Sequence, residues 1–433
     1  MDNPRKLAFN SLVRADALQS FSNLEINTVI SRSDMNKKNA ALYTALYMGV
    51  TEKLLTLDYV ISQYSSIKIE KLDIETKNAL RLGLYQLMFM DKIPEYSAVS
   101  ETVNLCPKRS KGYVNAMLRS FIRAEMAVEY PHDKWEALSV ISSTPSYIID
   151  IFRRSYGDSV AEKIVTASVS HKGISLRVNT LRNSVDTVKS LLDKRNIEYN
   201  VSNLTEDIIN IFAPISDIEG LIDKGCVFVQ DTASRCAAKI LGARENERIL
   251  DACACPGGKT FSIAIDMENK GEILACDLHK NKLSLVSNGA KKLGIDIIEV
   301  REQNGKEYCP ELDSAFDKVL CDVPCSGLGV ISKKPDIKYK KQDSVVNLPS
   351  IQYDILSNCA KYVKVGGELM YSTCTLNIDE NENVVNKFLL ENDSFERVDF
   401  TLGEIRSENG MYTFFEHITG SDGFFVAKLR RVK

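Results

Sequence analysis

The sequence predicts an α/β fold for its C-terminal half, preceded by an all-helical segment and a small α+β module. Three observations carry this expectation. From Cys226 onward, short apolar strand patterns alternate with helical ones, which implies a mostly parallel sheet covered by helices on both faces. Residues 1 to about 125 place apolar side chains at helical spacing only. Between these parts, the segment from 147 to 225 mixes strand and helix patterns.

At 433 residues the chain exceeds one ordinary domain, and length alone suggests roughly three. We therefore expect divisions at 1–128, 147–225 and 226–433. A composition of 44% hydrophobic and 26% charged residues suits a globular chain with an ample core. The opening MDNPRKLAFN lacks the apolar centre of a signal peptide, and no run reaches the ~18 apolar residues of a membrane helix. The expectation is a cytoplasmic protein. The 11 cysteines include no CxxC pair and concentrate after Cys226, so free thiols are expected rather than a disulfide scaffold. His132, His171, His279 and His417 lie far apart, and no metal site is expected. The net charge of −3 does not announce a nucleic-acid partner, but residues 1–125 carry 17 Lys+Arg against 13 Asp+Glu. That local excess fits a polyanion partner or a solvated helical surface about equally.

In chain order, Asn3 caps a helix opened by Pro4, with Phe9, Leu12 and Val13 on one face. A second helix is expected over Lys38–Leu55. A third, Ile74–Met90, has a broad apolar face from Leu80, Leu84, Leu87 and Met88 and ends before Pro94. Helices follow at Ala98–Cys106 and Tyr113–Ala124. Periodicity weakens from Glu129 to Ser146, a predicted boundary. Strands are expected at Ile174–Val178 and Ile208–Phe212 around a helix at Ser184–Asn196. Further strands are expected at Val227–Gln230, Arg248–Asp251, Glu272–Asp277, Ile297–Val300, Lys318–Asp322 and Glu368–Ser372. The intervening helices are Lys259–Asp266, Lys280–Leu293, Ile351–Val363 and Asp379–Leu390. The Asp422-Gly423 turn leads into FFVAKL, an antiparallel strand at the end of the sheet.

Three loops carry the chemistry. The first is Asp251-Ala252-Cys253-Ala254-Cys255-Pro256-Gly257-Gly258-Lys259-Thr260, a small-residue turn between strand and helix that lets backbone N–H groups approach an anionic ligand group. A phosphate-binding GxxxxGK[ST] loop fails, since its first glycine would fall at Cys253, and GxGxxG is absent. Asp277 ends the next strand, where doubly wound folds place an acid on ribose hydroxyls. A ribose site without a phosphate fingerprint points to S-adenosylmethionine; alone, Asp277 is also a plain helix cap. The other two loops are Asp322-Val323-Pro324-Cys325 and Tyr371-Ser372-Thr373-Cys374-Thr375. Each sets a cysteine just past a strand, in polar surroundings unlike those of Cys106, Cys236, Cys276, Cys309, Cys321 and Cys359, which read as buried apolar thiols.

Paired thiols suit methylation at C5 of a pyrimidine. A thiolate adding to C6 makes C5 nucleophilic, and later elimination restores the ring. Asp322 is placed to hydrogen-bond the cytosine edge. The thiols need a helix N-terminus or a cation, for which Lys259 is a candidate.

KGYVNAMLRSFIR (Lys111–Arg123) and RLGLYQLMFM (Arg81–Met90) resemble the RNA-binding domain of the NusB antitermination family. DACACPGGKT, DVPCSGLGVISKKPDIKY and YSTCTLNIDENENVV resemble the signature blocks of the RNA cytosine-C5 methyltransferases. Together they are similar to the bacterial Sun/RsmB type, which acts on small-subunit ribosomal RNA. The resemblance implies a Rossmann-like methyltransferase domain, a NusB-like all-α domain and a small α+β connector. It implies S-adenosylmethionine as cofactor, held by Cys253, Ala254, Cys255, Pro256, Gly257, Gly258 and Lys259, with Asp277 on its ribose and Asp322 between cofactor and base. Cys374 is implied as nucleophile and Cys325 as the release cysteine. Small-subunit ribosomal RNA is the implied partner, with neither DNA nor membrane, and the chain is expected to be a monomer.

Arg177 and Asn179 in LRVNT, and Gln230 to Ser234, match further stretches of the family. Three positions depart from it. Cys255 adds a second cysteine to the glycine turn, Leu328 replaces a common threonine, and Asn304 stands where an aspartate commonly contacts the adenine amino group. An amide still accepts there through its oxygen, without the charge. Lys333, Lys334, Lys338 and Tyr339 form a basic, aromatic loop suited to RNA phosphates and a stacked base, or simply a solvated charge run. The rival functions are the same chemistry on transfer RNA, and an RNA-binding assembly or antitermination factor with vestigial transferase activity.

Overall fold

The computed structural model describes residues 2–18, 23–169, 173–340 and 343–433, so His171 lies outside the described residues. Two compact units emerge: residues 1–169 with 331–341, and residues 170–330 with 342–433.

The first unit is helical. Asn3 Oδ1 accepts the Arg5 and Lys6 N–H groups and so starts the helix Pro4–Ala17. Asp73 caps Ile74–Phe89 in the same way, through the Thr76 N–H. The single helix expected over Lys38–Leu55 is two, Lys37–Glu52 and Leu54–Tyr64, divided where Lys53 leaves helical geometry. The expected boundary at 129–146 contains a helix, Lys134–Ser142, capped by Asp133, and the helix Ser146–Ala167 follows it. Local capping wins here over a weak apolar period. Leu12, Tyr47, Leu80 and Leu118 are in the core of the unit. No described helix is long and apolar enough to cross a membrane.

The second unit holds a small antiparallel sheet and a large mixed one. The small sheet comprises β1 (Ile174–Val178), β2 (Tyr199–Val201), β3 (Ile208–Ile211) and β4 (Val227–Val229), in the order β2-β3-β1-β4. The large sheet begins with β5 (Arg248–Asp251), β6 (Glu272–Asp277), β7 (Ile298–Glu302), β8 (Phe316–Asp322) and β9 (Val363–Thr373). These five run parallel in the spatial order β9-β8-β5-β6-β7. The chain moves outward from β5 to β7 and then returns to β8 on the other side of β5. That reversal makes a switch point between β5 and β8, where open α/β sheets bind ligands.

Alternation along the strands explains the burial on both faces. Ile249, Ile273, Ala275 and Leu320 enter one apolar cluster, while Leu250, Leu274, Cys276, Val319 and Cys321 enter the other. Cys106, Cys236, Cys276, Cys309, Cys321 and Cys359 are all buried.

Two further sequence expectations, both in this unit, need correction. The helix expected to reach Val363 ends at Ala360, and Val363 opens β9, whose first five residues, Val-Lys-Val-Gly-Gly, lack helical character. The last strand, β14 (Phe424–Arg431), is antiparallel to β9 but is not at the end of the sheet. Two short strands, β10 (Phe395–Arg397) and β13 (Met411–Phe414), pair with it, and the hairpin β11 (Thr401–Leu402) and β12 (Ile405–Arg406) lies between them in sequence. Strands this short leave no readable alternation.

Candidate active site

The loops leaving β5, β6, β8 and β9 meet around a cavity of about 370 Å³ at the switch point. Cys253, Cys255, Asp277, Asn304 and Asp322 line it, and so do both loop cysteines, Cys325 and Cys374. Ala254, Pro256, Gly257, Gly258 and Lys259 do not line it. Ala254 packs into the core, and the glycines shape the turn. Gly257 has φ +111°, and a Cβ there would lie 2.4 Å from the Phe261 ring, so only glycine fits.

Asp277 holds the turn from the neighbouring strand. Its Oδ2 accepts the Cys255 N–H at 3.3 Å and its Oδ1 the His279 N–H at 2.9 Å. The carboxylate therefore orders its own turn while still lining the cavity. Asn304 organises its loop as well: Oδ1 accepts the Lys306 N–H at 3.1 Å and Nδ2 donates to Glu307 at 2.8 Å. One lone pair of that oxygen remains for a ligand.

Asp322 is pinned on both oxygens, by Lys259 Nζ at 2.7 Å and by the Ser372 hydroxyl at 2.8 Å. Burial, the largest single influence, pulls the Lys259 ammonium down, but the charge and hydrogen bond of Asp322, with smaller contributions from Cys374 and Asp251, together hold the group above its ordinary value. The same ammonium lies 4.8 Å from the centre of the Phe424 ring. Lys259 is thus committed chiefly to Asp322, with Cys374 a weaker contributor to its field. Behind it, burial pushes the Asp251 carboxyl up to about 7, against the Thr260 hydroxyl that donates to it at 2.7 Å.

The Cys325 and Cys374 sulfurs, 49 residues apart in sequence, are 3.1 Å apart in space. Contact with Cys374, followed by burial, pushes the Cys325 thiol well above its usual value. The turn cysteines are protonated too: burial raises Cys253 strongly and, with Asp277 beside it, takes Cys255 to about 12. Cys255 therefore acts as a small neutral residue.

Several expected RNA contacts are internal instead. Lys338 and Tyr339 belong to the helical unit, where Lys338 is buried and Tyr339 is partly buried against the core. Lys338 Nζ donates to the carbonyls of Glu52 at 3.2 Å and Ser142 at 3.4 Å, the last residues of two helices. A cation at two helix C-termini is a structural cap. The Tyr339 hydroxyl lies 3.4 Å from the Glu52 carbonyl and 3.3 Å from the Ser143 hydroxyl. Lys333 and Lys334 are exposed. In the other unit, Arg177 and Asn179 are braces. Arg177 pairs with Asp207 at 3.0 Å, and Arg235 joins Asp207 to Asp266. Asn179 Nδ2 donates to the carbonyls of Gly225 and Leu293, both at 2.9 Å. Gln230 grips the Gly258 carbonyl and the Ser262 hydroxyl, and Asp231 caps the helix Thr232–Leu241.

The sequence reading missed Ser372, Phe424, Glu380 and Asn381. Ser372 sat in view beside Cys374, and the strand register that sets it against Asp322 was the absent information.

Residues 238–430 match the family described as 16S rRNA methyltransferase RsmB/F, residues 2–123 the NusB family, and residues 144–217 the RsmF/B-like ferredoxin-like domain. The chain is 33% identical to a probable ribosomal RNA small subunit methyltransferase B of Bacillus subtilis (strain 168), over 99% of this chain and 98% of that one. It is 30% identical to the ribosomal RNA small subunit methyltransferase B of Erwinia tasmaniensis, over 99% of both chains. Its fold matches the crystal structure of the protein PH0851 with a TM-score of 0.83, at 24% identity, over 100% of this chain and 99% of that chain. By this likeness and by the arrangement of its three loops, the chain belongs to the RsmB/F family of 16S rRNA methyltransferases, with a NusB-family domain at its N-terminal end.

Proposed function

We propose that this protein transfers a methyl group from S-adenosylmethionine to C5 of a specific cytosine in small-subunit (16S) ribosomal RNA. The observation that carries the reading is the contact between Cys325 and Cys374 in one cavity with Asp322. The names of the curated relatives support ribosomal RNA as the substrate. In this reading residues 1–128 grip RNA, 147–225 form the connector and 226–433 carry the chemistry. The protein works as a cytoplasmic monomer.

The cavity fits the cofactor in size and in its polar groups. Cys253 and Cys255, set by the turn that runs to Lys259, line the space that would hold it, with Asp277 as its ribose contact and Asn304 an acceptor for its base. When bound, the cofactor supplies an electrophilic methyl on a sulfonium. The chain's own groups do the rest. Cys374 adds as thiolate to C6 of a cytosine taken out of its stack. The protonated Cys325 beside it donates a hydrogen bond that favours the Cys374 thiolate. Asp322, fixed by Lys259 and Ser372, contacts the amino edge of the base and favours its electrophilic form. After transfer, Cys325, once its own proton has passed to solvent, accepts the C5 proton; the electrons of that C–H bond re-form the C5=C6 double bond and expel Cys374 as a thiolate.

The test is methylation of unmodified 16S ribosomal RNA and of transfer RNA, with 5-methylcytosine mapped by position. Methyl transfer to one cytosine of the ribosomal RNA is expected. Modification of transfer RNA alone would move the substrate, and RNA binding without turnover would favour an assembly factor.

A further inference from the structure

Just past Cys374, two consecutive side chains are wholly buried in a polar run that reads as a solvated helix start. Glu380 and Asn381 are both 0% exposed. Glu380 Oε2 accepts the Ser326 N–H at 2.8 Å and Gln352 Nε2 at 2.9 Å. Its Oε1 accepts the Ser326 hydroxyl at 2.6 Å and Asn377 Nδ2 at 3.0 Å. These bonds fill the carboxylate's four acceptor positions. Gln352 also donates to the Pro324 carbonyl at 2.9 Å. Through Gln352 and Ser326, then, Glu380 grips the residue before Cys325 and the residue after it.

Asn381 does the same for Cys374. Its Oδ1 accepts the Thr373 hydroxyl at 2.5 Å, and its Nδ2 donates to the Thr375 carbonyl at 3.0 Å. The Thr375 and Ser326 hydroxyls, 2.6 Å apart, tie the two brackets together. Since Ser326 gives its proton to Glu380, Thr375 donates in that bond.

We propose that Glu380 and Asn381 are a positioning pair that sets the distance between the Cys325 and Cys374 sulfurs, each bracketing one cysteine. The inference rests on the thiol chemistry proposed above, but its geometry stands apart from the identity of the RNA. A buried carboxylate whose partners are an amide, a hydroxyl and two carboxamides is costly to keep, and here it joins three segments distant in sequence. Its charge also adds to the groups that keep the Cys325 thiol protonated, after the larger effects of Cys374 and burial.

The experiment compares wild type with the isosteric variants Glu380→Gln and Asn381→Asp. Phenylarsine oxide condenses with two adjacent thiols to a dithioarsinite and water, so its capture reads the sulfur spacing without any turnover. Peptide mapping and a Cys325→Ala control separate this pair from the Cys321 and Cys359 thiols. Both variants should lose capture about tenfold and kcat on 16S ribosomal RNA about 100-fold, because small displacements of reacting groups cost that much. KM should stay within about threefold, since neither residue binds substrate. Iodoacetamide labelling of Cys325 should begin at lower pH in Glu380→Gln, which a merely structural role would not produce. Circular dichroism and cooperative melting check folding, and Thr375→Val, which removes one hydroxyl of the same network, replaces a variant that fails to fold. Capture and kcat at wild-type levels in folded variants would overturn the inference. If wild type captures the arsenical but methylates no RNA, the proposed function fails while the capture series still decides the positioning role.

Discussion

Lys259 and Asp322 form an ion pair at 2.7 Å that joins the helix after β5 to the end of β8, across the switch point of the sheet. The Lys259 side chain is 13% exposed and the Asp322 side chain 27%. Removing the cation leaves a part-buried carboxylate with the Ser372 hydroxyl as its remaining hydrogen-bond partner among the described residues, at a cost of about 2–3 kcal/mol once solvent access is allowed for. Lys259→Met should lower the urea midpoint accordingly and abolish most turnover. Lys259→Arg keeps the charge but not its compact shape, so it should recover stability and not activity.

A second prediction concerns the glycine that lets the loops close. A Cβ on Gly329 would lie 2.0 Å from the Gly423 carbonyl oxygen and 2.9 Å from that of Cys374. Gly329 N–H donates to the Cys374 carbonyl at 3.0 Å, and Gly423 N–H to the Gly329 carbonyl at 2.8 Å. Gly329→Ala must push these backbones apart, and we expect a loss of about 1–3 kcal/mol with a larger loss of kcat. Gly220→Ala, where a Cβ meets nothing within 4 Å, is the control and should leave both unchanged.

The buried ion-pair cluster gives a third. Asp207 is 6% exposed and serves Arg177 and Arg235 together, and their charges outweigh burial to hold its carboxyl below the usual range. Asp207→Asn leaves two buried guanidiniums undercompensated and should cost about 3–5 kcal/mol in chemical unfolding. RNA affinity, measured under conditions where the variant is folded, should be unchanged.

Lys338 makes the fourth, in pH. Burial pulls its ammonium down to about 8 from 10.5, against the Glu52 charge. Between those values the unfolded chain holds a proton that the folded one has released, so stability rises with pH in that window. Tyr339, raised by burial, opposes the trend only above its ordinary value of 10.0. Denaturant midpoints of the helical unit should therefore climb from pH 8 to about 9.5, and Lys338→Met should flatten the climb.

Much of the fold was legible where local pattern and tertiary placement agree. Arg248–Asp251, Glu272–Asp277 and Lys280–Leu293 are found with the expected bounds, because parallel strands buried on both faces are near-continuous apolar runs and Gly294 stops the helix. The cavity collects Cys325, Cys374, Asp322 and Asp277 because each ends a strand or follows one. What escaped depends on distant partners. Lys338 looks like one more solvated lysine until two helix ends converge on it. Glu380 and Asn381 sit in a polar run whose burial is set by Ser326, Gln352, Thr373 and Thr375, and only the fold brings those residues together.

The central claim is that the 3.1 Å thiol pair divides one covalent reaction between Cys374 and Cys325. Its most direct test is denaturing-gel detection of protein–RNA adducts, with S-adenosylmethionine and unmodified small-subunit RNA. Wild type, Cys325→Ala, Cys374→Ala and the double variant are compared. Cys325→Ala should accumulate an adduct that the double variant loses. Accumulation in Cys374→Ala instead, or no adduct and no methyl transfer in any of them, would contradict the account.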